Sequence, residues 1–156
     1  MANSLAQKGA RGRFGIDFIV VPLEFEEYDI FALEINLRQG GTTHPYETLH
    51  LLTKGTYSSK TGLYVSERGE EKYYVASDNL CKDSYRGLLP SDLMMIIGKH
   101  QLLFDEETHQ GVVFHLMGAL SQFGKIGVTC IGNSLKDAQE LYDKIVQVLD
   151  DETSNC

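Results

Sequence analysis

Two stretches near the N-terminus have the pattern of β-strands. The first, RFGIDFIVVP, is rich in β-branched and aromatic residues and ends at Pro22. The second, IFALEINLR, alternates apolar residues with polar or small ones, which places the two sets on opposite faces of a strand. The row with the polar residues is Ala32, Glu34, Asn36 and Arg38, and the apolar row is Phe31, Leu33, Ile35 and Leu37. We expect the apolar row to face the core.

The remaining patterns predict further strands and helices. Helices are expected in HPYETLHLLTKG, in PSDLMMIIGKHQL with Ser91 as its cap, and in NSLKDAQELYDKIVQVLDD with Ser134 as its cap. GVVFHLMGAL and KIGVTCIG indicate strands, and TGLYVSERGEEKYYVASD a hairpin whose tip, SERGEEK, is solvated. The predicted fold is α+β, a mainly antiparallel sheet with packed helices. We expect one domain over residues 1–150 and a flexible tail over 151–156.

Charge and composition limit the kinds of partner. The chain of 156 residues has a net charge of -8, which argues against nucleic acid as the main partner because phosphate binding needs a basic surface. The start of the chain does not resemble a signal peptide, and no apolar run is long enough for a membrane helix. Three widely spaced cysteines without a CxxC pair indicate free thiols in a reducing cytoplasm. Two of them, Cys81 and Cys130, are interpreted as buried.

The acidic segment LEFEEYD predicts a turn between the two N-terminal strands, which should therefore pair antiparallel. A turn centred near Glu26 places Asp17 across from Glu34 and Asn36. Two carboxylates and an amide oxygen on one face suit Mg²⁺, which binds one or two carboxylates together with substrate phosphates. Arg38 is a planar donor for phosphate or carboxylate. The following RQGGTTHP leaves backbone N–H groups able to approach a ligand.

Plainer interpretations compete with this one. A solvent-facing strand often carries polar residues at alternate positions, so the row at Glu34 and Asn36 also fits a solvated strand face. The five histidines form no H-x-x-x-H or H-E-x-x-H pattern, which argues against zinc hydrolysis. A generic oxygen-ligand site that binds Mn²⁺ without nucleotide is a further alternative.

The motif ALEINLRQGGTTHP, preceded by GRFGIDFIVV, resembles the metal-binding end of the ATP-grasp carboxylate–amine ligases. Its long form, EINLRQGGTTHP, is most similar to the pheganomycin-type peptide ligases, and GVVFHLMGALSQFGKIGVTCIGNSLKDAQELYDKI also resembles the C-terminal part of that branch. The resemblance implies that Asp17, Glu34 and Asn36 bind Mg²⁺ (or Mn²⁺) bridging the phosphates of ATP. Arg38 would stabilise phosphate charge as an acyl-phosphate forms. The acyl or amine pocket would be lined by Thr42, Thr43 and His44.

The chemistry implied is ATP-dependent activation of a carboxylate followed by attack of an amine. Sixteen residues precede Asp17, and an adenine-clamping N-terminal lobe is not visible in the sequence. We therefore expect a C-terminal piece of such a ligase, inactive alone, with the missing N-terminal lobe as its partner. The competing hypothesis is a non-catalytic module that docks to another subunit or forms a homodimer through the apolar sheet face left exposed by the missing lobe.

Overall fold

The computed structural model describes residues 1–154, apart from the side chain of Glu26. Contacts divide it into two compact units, one from Met1 to Tyr46 and one from Glu47 onward. The single domain expected over residues 1–150 stays a prediction, and each unit is described by itself below. The α+β class is confirmed, with small antiparallel sheets and helices.

The first unit contains helix α1, a two-stranded hairpin and the start of helix α2, in which the boundary between the units falls. The bounds are α1 Ala2–Gln7, β1 Gly15–Pro22, β2 Tyr28–Asn36 and α2 Thr43–Thr53. The second unit continues with β3 Thr56–Tyr57, β4 Tyr64–Val65, β5 Tyr73–Cys81, α3 Pro90–Lys99, β6 Gly111–His115, α4 Leu120–Phe123, β7 Lys125–Gly132 and α5 Leu135–Thr153.

The acidic segment forms the predicted turn between β1 and β2. The Leu23 N–H donates to the Glu27 carbonyl over 2.8 Å, which closes the turn. At its tip Phe25 adopts a left-handed backbone with φ of 64°, a conformation that is uncommon for a residue other than glycine. Its side chain is 92 % exposed. The turn therefore presents an aromatic ring between glutamates.

The hairpin contains a β-bulge that changes the predicted alternation. Asp17 pairs with Glu34, but the next residue, Phe18, pairs with Ala32, so Leu33 is the extra residue of β2. Directly paired residues share a face and successive residues of β1 alternate, so Ala32 lies on the face opposite to Glu34. The expectation that Ala32 joins the polar row was wrong because the bulge reverses the faces on its far side.

The apolar row of β2 does not form a core. Phe31 is 52 % exposed and Leu33 is 67 % exposed, and Ile35 and Leu37 are also exposed. β1 and β2 pair only with each other among the described strands. The expectation of a buried apolar row therefore fails in this unit.

The second unit is built on the antiparallel sheet β5–β7–β6, with β7 in the centre. Every residue of β7 after Lys125 is buried. The core combines side chains of this sheet with those of α3 and α5, for example Leu93, Val128 and Ile145, each 0 % exposed. The burial of this sheet results from the amphipathic pattern of α5, whose buried residues are Ala138, Ile145, Val148 and Leu149.

Helix ends follow the sequence in one of three places. The Ser134 Oγ accepts a hydrogen bond of 3.0 Å from the Asp137 N–H, so the predicted cap of α5 is confirmed. In α3 the cap is Leu89 rather than Ser91, because Pro90 occupies the first helical position. The tail expected from residue 151 is helical through Thr153, and residues 155–156 lie outside the described part of the chain.

None of the helices in residues 1–154 is both long and apolar enough to cross a membrane.

Candidate metal and phosphate site

Asp17, Glu34 and Asn36 meet at the open end of the hairpin. Asp17 is the direct cross-strand partner of Glu34, and the Asn36 side-chain amide donates to the Asp17 carboxylate over 3.2 Å. The predicted convergence is therefore present in the structure. It arises from the antiparallel register, which holds as predicted on this side of the bulge.

This donor set suits a hard divalent cation. Two exposed carboxylates lie across from each other, so a cation between them would offset the repulsion of their like charges. The amide nitrogen of Asn36 is directed to Asp17, which leaves the amide oxygen as a third oxygen donor. Mg²⁺ prefers such oxygen ligands and retains several waters or phosphate oxygens, so an exposed, partial set of protein ligands is chemically suitable.

Arg38 follows the end of β2 and is exposed. Its guanidinium donates to the neighbouring Gln39 carbonyl over 3.4 Å, a long and local contact. The side chain is thus held only weakly in this conformation. Its assignment to phosphate charge stays a prediction.

The three residues predicted to line a substrate pocket differ in their surroundings. The Thr43 side chain is buried, and its Oγ1 accepts a hydrogen bond of 3.2 Å from the Gly40 N–H. The Thr43 N–H donates in return to the Gly40 carbonyl over 2.9 Å. Thr42 and His44 are exposed on either side of it. Thr43 therefore fixes the turn before α2, and a substrate role for Thr42, Thr43 and His44 stays a prediction.

Among the described residues, no three His, Cys, Asp or Glu side chains lie close enough together to hold a metal ion. This finding does not bear on Asp17, Glu34 and Asn36, whose third member is an amide.

The two cysteines within residues 1–154 have different surroundings. Cys130 is buried in β7, and burial raises the pKa of its thiol to about 12, so it is not a nucleophile at neutral pH. Cys81 was expected to be buried but is exposed at the end of β5. It lies at the edge strand of the three-stranded sheet, where one side of the chain has no neighbouring strand.

A buried cation was missed in the sequence. Lys72 belongs to the segment interpreted as a solvated tip, yet its side chain is 0 % exposed. Its Nζ donates to the Asn133 side chain over 2.6 Å and to the Thr108 carbonyl over 3.0 Å, and it lies 3.0 Å from the Glu70 carboxylate. The nearby Arg68 donates to the carbonyl of Glu106 over 3.0 Å. Partners so distant in sequence leave no local signal.

Two comparisons with known proteins show what this chain is similar to. Residues 92–145 match the family model described as the PGM1 C-terminal domain. The matched segment runs from α3 into α5 and therefore lies in the second unit. The resemblance to the C-terminal part of the ATP-grasp carboxylate–amine ligases is confirmed, with the pheganomycin-type peptide ligases as the matching branch.

One relative extends the match over most of the chain. L-propargylglycine–L-glutamate ligase of Streptantibioticus cattleyicolor is 30 % identical over 145 residues, which cover 93 % of this chain. The chain spans only 29 % of the length of that relative. No solved structure matches the chain.

Proposed function

We propose that this chain is the metal, ATP-phosphate and substrate-binding part of an ATP-dependent carboxylate–amine (peptide) ligase. The observation that carries the proposal is the meeting of Asp17, Glu34 and Asn36 on one face of the hairpin. The similarity to a ligase over 93 % of the chain supports it. Because that relative is about three times longer, the complete reaction is proposed to need an N-terminal ATP-grasp lobe as partner.

In the proposed reaction a carboxylate substrate is activated as an acyl-phosphate and an amine then displaces the phosphate to form an amide bond. Asp17, Glu34 and Asn36 would hold Mg²⁺ or Mn²⁺, which supplies charge neutralisation at the ATP phosphates. Arg38 would donate to a phosphoryl oxygen, and its planar guanidinium suits that role. Thr42, Thr43 and His44 would contact the acyl or amine substrate. The protein's contribution is positioning and electrostatic stabilisation.

The test is a calorimetric titration of Mg²⁺-ADP into the wild-type chain and a Glu34→Gln/Asn36→Ala double variant. We expect binding in the wild type and its loss in the double variant, because the variant removes one charge and one oxygen donor. Asp29→Asn is the matched control: Asp29 lies on the same strand and the same face, at the far end of the hairpin. Binding by this control should be retained.

Other results would reject the proposal. Folded wild-type chain that does not bind Mg²⁺-ADP would contradict a phosphate–metal face in this chain and favour the docking module. Equal losses in Asp29→Asn and in the double variant would indicate a general charge effect. Mn²⁺ binding that is indifferent to nucleotide would favour the generic oxygen-ligand metal site.

A further inference from the structure

The guanidinium of Arg13 lies on the ring of Tyr46. Its Cζ is 3.7 Å from the ring centroid, which is a close cation–π contact. Both residues belong to the first unit, Arg13 just before β1 and Tyr46 in the first turn of α2. An aromatic ring under a guanidinium covers one flat face, while the N–H donors lie in the plane of the group and stay available. The contact therefore holds Arg13 in place without using its hydrogen-bonding capacity.

Those donors have no acceptor among the described residues. Arg13 is exposed, and the ring of Tyr46 is its single partner within the described part of the chain. The neighbouring Arg11 differs, because its guanidinium donates to the carbonyls of Ala6 and Ala10 over 2.9 and 3.0 Å. Asp and Glu outnumber Lys and Arg by 22 to 14, yet none of the described carboxylates pairs with Arg13. A fixed and unpaired cation in an acidic chain is suited to bind an anion from outside the chain.

Arg13 lies close to the candidate metal site. It comes two residues before Gly15, which is the cross-strand partner of Asn36. Two residues span at most about 7 Å and paired Cα atoms lie about 4.5–5.5 Å apart, so the Cα atoms of Arg13 and Asn36 are within about 13 Å of each other. A Cβ added to Gly15 would meet only the Asn36 Cβ, at 3.9 Å, and one added to Gly40 or Gly41 would meet nothing within 4 Å. The surface at these glycines therefore leaves room for a ligand.

We propose that Arg13, held by the ring of Tyr46, binds a carboxylate of a substrate, distinct from the group that reacts. A planar guanidinium pairs with a planar carboxylate through two parallel hydrogen bonds, which engage both oxygens and so keep that carboxylate from attacking a phosphate. The ring of Tyr46 also offers an apolar surface to the carbon skeleton beside the carboxylate. The term substrate rests on the proposed function. The carboxylate site itself does not, because it uses neither Glu34 nor Asn36.

Titration of the full, nitrogen-15-labelled chain with succinate at constant ionic strength tests the site by nuclear magnetic resonance. We expect the Nε–Hε resonance of Arg13 to shift and saturate, while that of Arg11 stays unchanged because its guanidinium is bound to backbone carbonyls. Arg13→Lys keeps the charge but loses the planar pair of donors, so it should weaken succinate binding about tenfold, as followed at the Gly15 amide. Arg11→Lys is the matched control and should retain the affinity. Tyr46→Leu should weaken binding and Tyr46→Phe should retain it, because only the ring is needed.

Two further titrations separate this site from the metal site and from phosphate binding. The Glu34→Gln/Asn36→Ala double variant should bind succinate as the wild type does, whatever its effect on Mg²⁺-ADP, because the two sites share no residue. Inorganic phosphate at the same ionic strength should shift the Arg13 resonance less than succinate does. The proposal is overturned by an Arg13 resonance that succinate does not move, or by equal losses in Arg11→Lys and Arg13→Lys, which would indicate a general charge effect. An equal response to phosphate, or loss of succinate binding in the double variant, would overturn it too, since either would assign Arg13 to the phosphate–metal face.

Discussion

In the hairpin β1–β2, branched and aromatic side chains point to both sides and remain about half exposed, whereas in the central strand β7 every residue from Ile126 to Gly132 is buried. Both regions are rich in β-branched residues, so the difference does not come from strand propensity. In the second unit α3 and α5 pack on the three-stranded sheet and bury it, whereas the hairpin side chains of the first unit keep large exposed fractions. Strand propensity therefore predicts where a strand forms but not whether that strand is buried.

A matched pair of truncations gives the largest expected contrast. Ile126→Ala in β7 removes a side chain that is 0 % exposed, and it should lower the free energy of unfolding by about 2–5 kcal/mol. Ile19→Ala in β1 of the hairpin removes a side chain that is 45 % exposed. It should change the free energy of unfolding by no more than about 0.5 kcal/mol. Urea unfolding followed by circular dichroism measures both at low protein concentration. A loss of similar size in Ile19→Ala would show that the hairpin shares the core.

The second prediction concerns the buried contacts of Lys72, which lie within the second unit. Lys72→Met keeps the length of the side chain but leaves the Thr108 carbonyl and the Asn133 amide oxygen without their donor, which should cost about 1–3 kcal/mol. Lys54→Met is the control, because the Lys54 side chain is 72 % exposed and its Nζ lies 3.9 Å from the Glu67 carboxylate. It should change unfolding by less than about 0.5 kcal/mol. Equal effects of the two substitutions in urea unfolding would contradict a stabilising role for the buried contacts.

Local features of the fold could be predicted from the sequence, because their causes are local. The cap at Ser134 and the stripe of α5 depend on residues three or four positions apart. The pairing of Asp17 with Glu34 follows from two strands and one short turn. This is why the convergence of the two carboxylates and the amide could be predicted, while their role as metal ligands stays a prediction.

Features that depend on distant partners could not be predicted. The bulge at Leu33 has no sequence mark such as glycine, and it reversed the face of Ala32. The burial of Lys72 depends on Thr108 and Asn133, which are 36 and 61 positions away. Exposure of the apolar row of β2 could not be read from alternation either, because a pattern shows which residues share a face and not what covers that face.

The smallest expected effect is the pH dependence contributed by Asp150, which joins α5 to the segment after β5. Hydrogen bonding to Lys82 lowers the pKa of this carboxyl, burial opposes the shift, and the Tyr85 hydroxyl, 2.7 Å away, adds to it. Its folded-state pKa lies below the ordinary value of 3.8, so its contribution is complete above that pH and is lost as pH falls through the folded-state pKa. Lys82 and Asp150 are both partly exposed, which limits the contribution to about 0.2–1 kcal/mol.

Asp150→Asn should therefore make the free energy of unfolding of the second unit less sensitive to acid. Unfolding free energies measured by urea titration, from neutral pH to below 3.8, should fall less steeply in this variant than in wild type. Some acid sensitivity should persist, because hydrogen bonding to Lys99 and His100 lowers the pKa of Glu152 on the same helix. Asp143→Asn, an exposed carboxylate of α5, is the control and should retain the wild-type slope. If the free energy of unfolding of Asp150→Asn falls with pH as steeply as that of wild type, the ion pair between Lys82 and Asp150 is too well hydrated to stabilise α5.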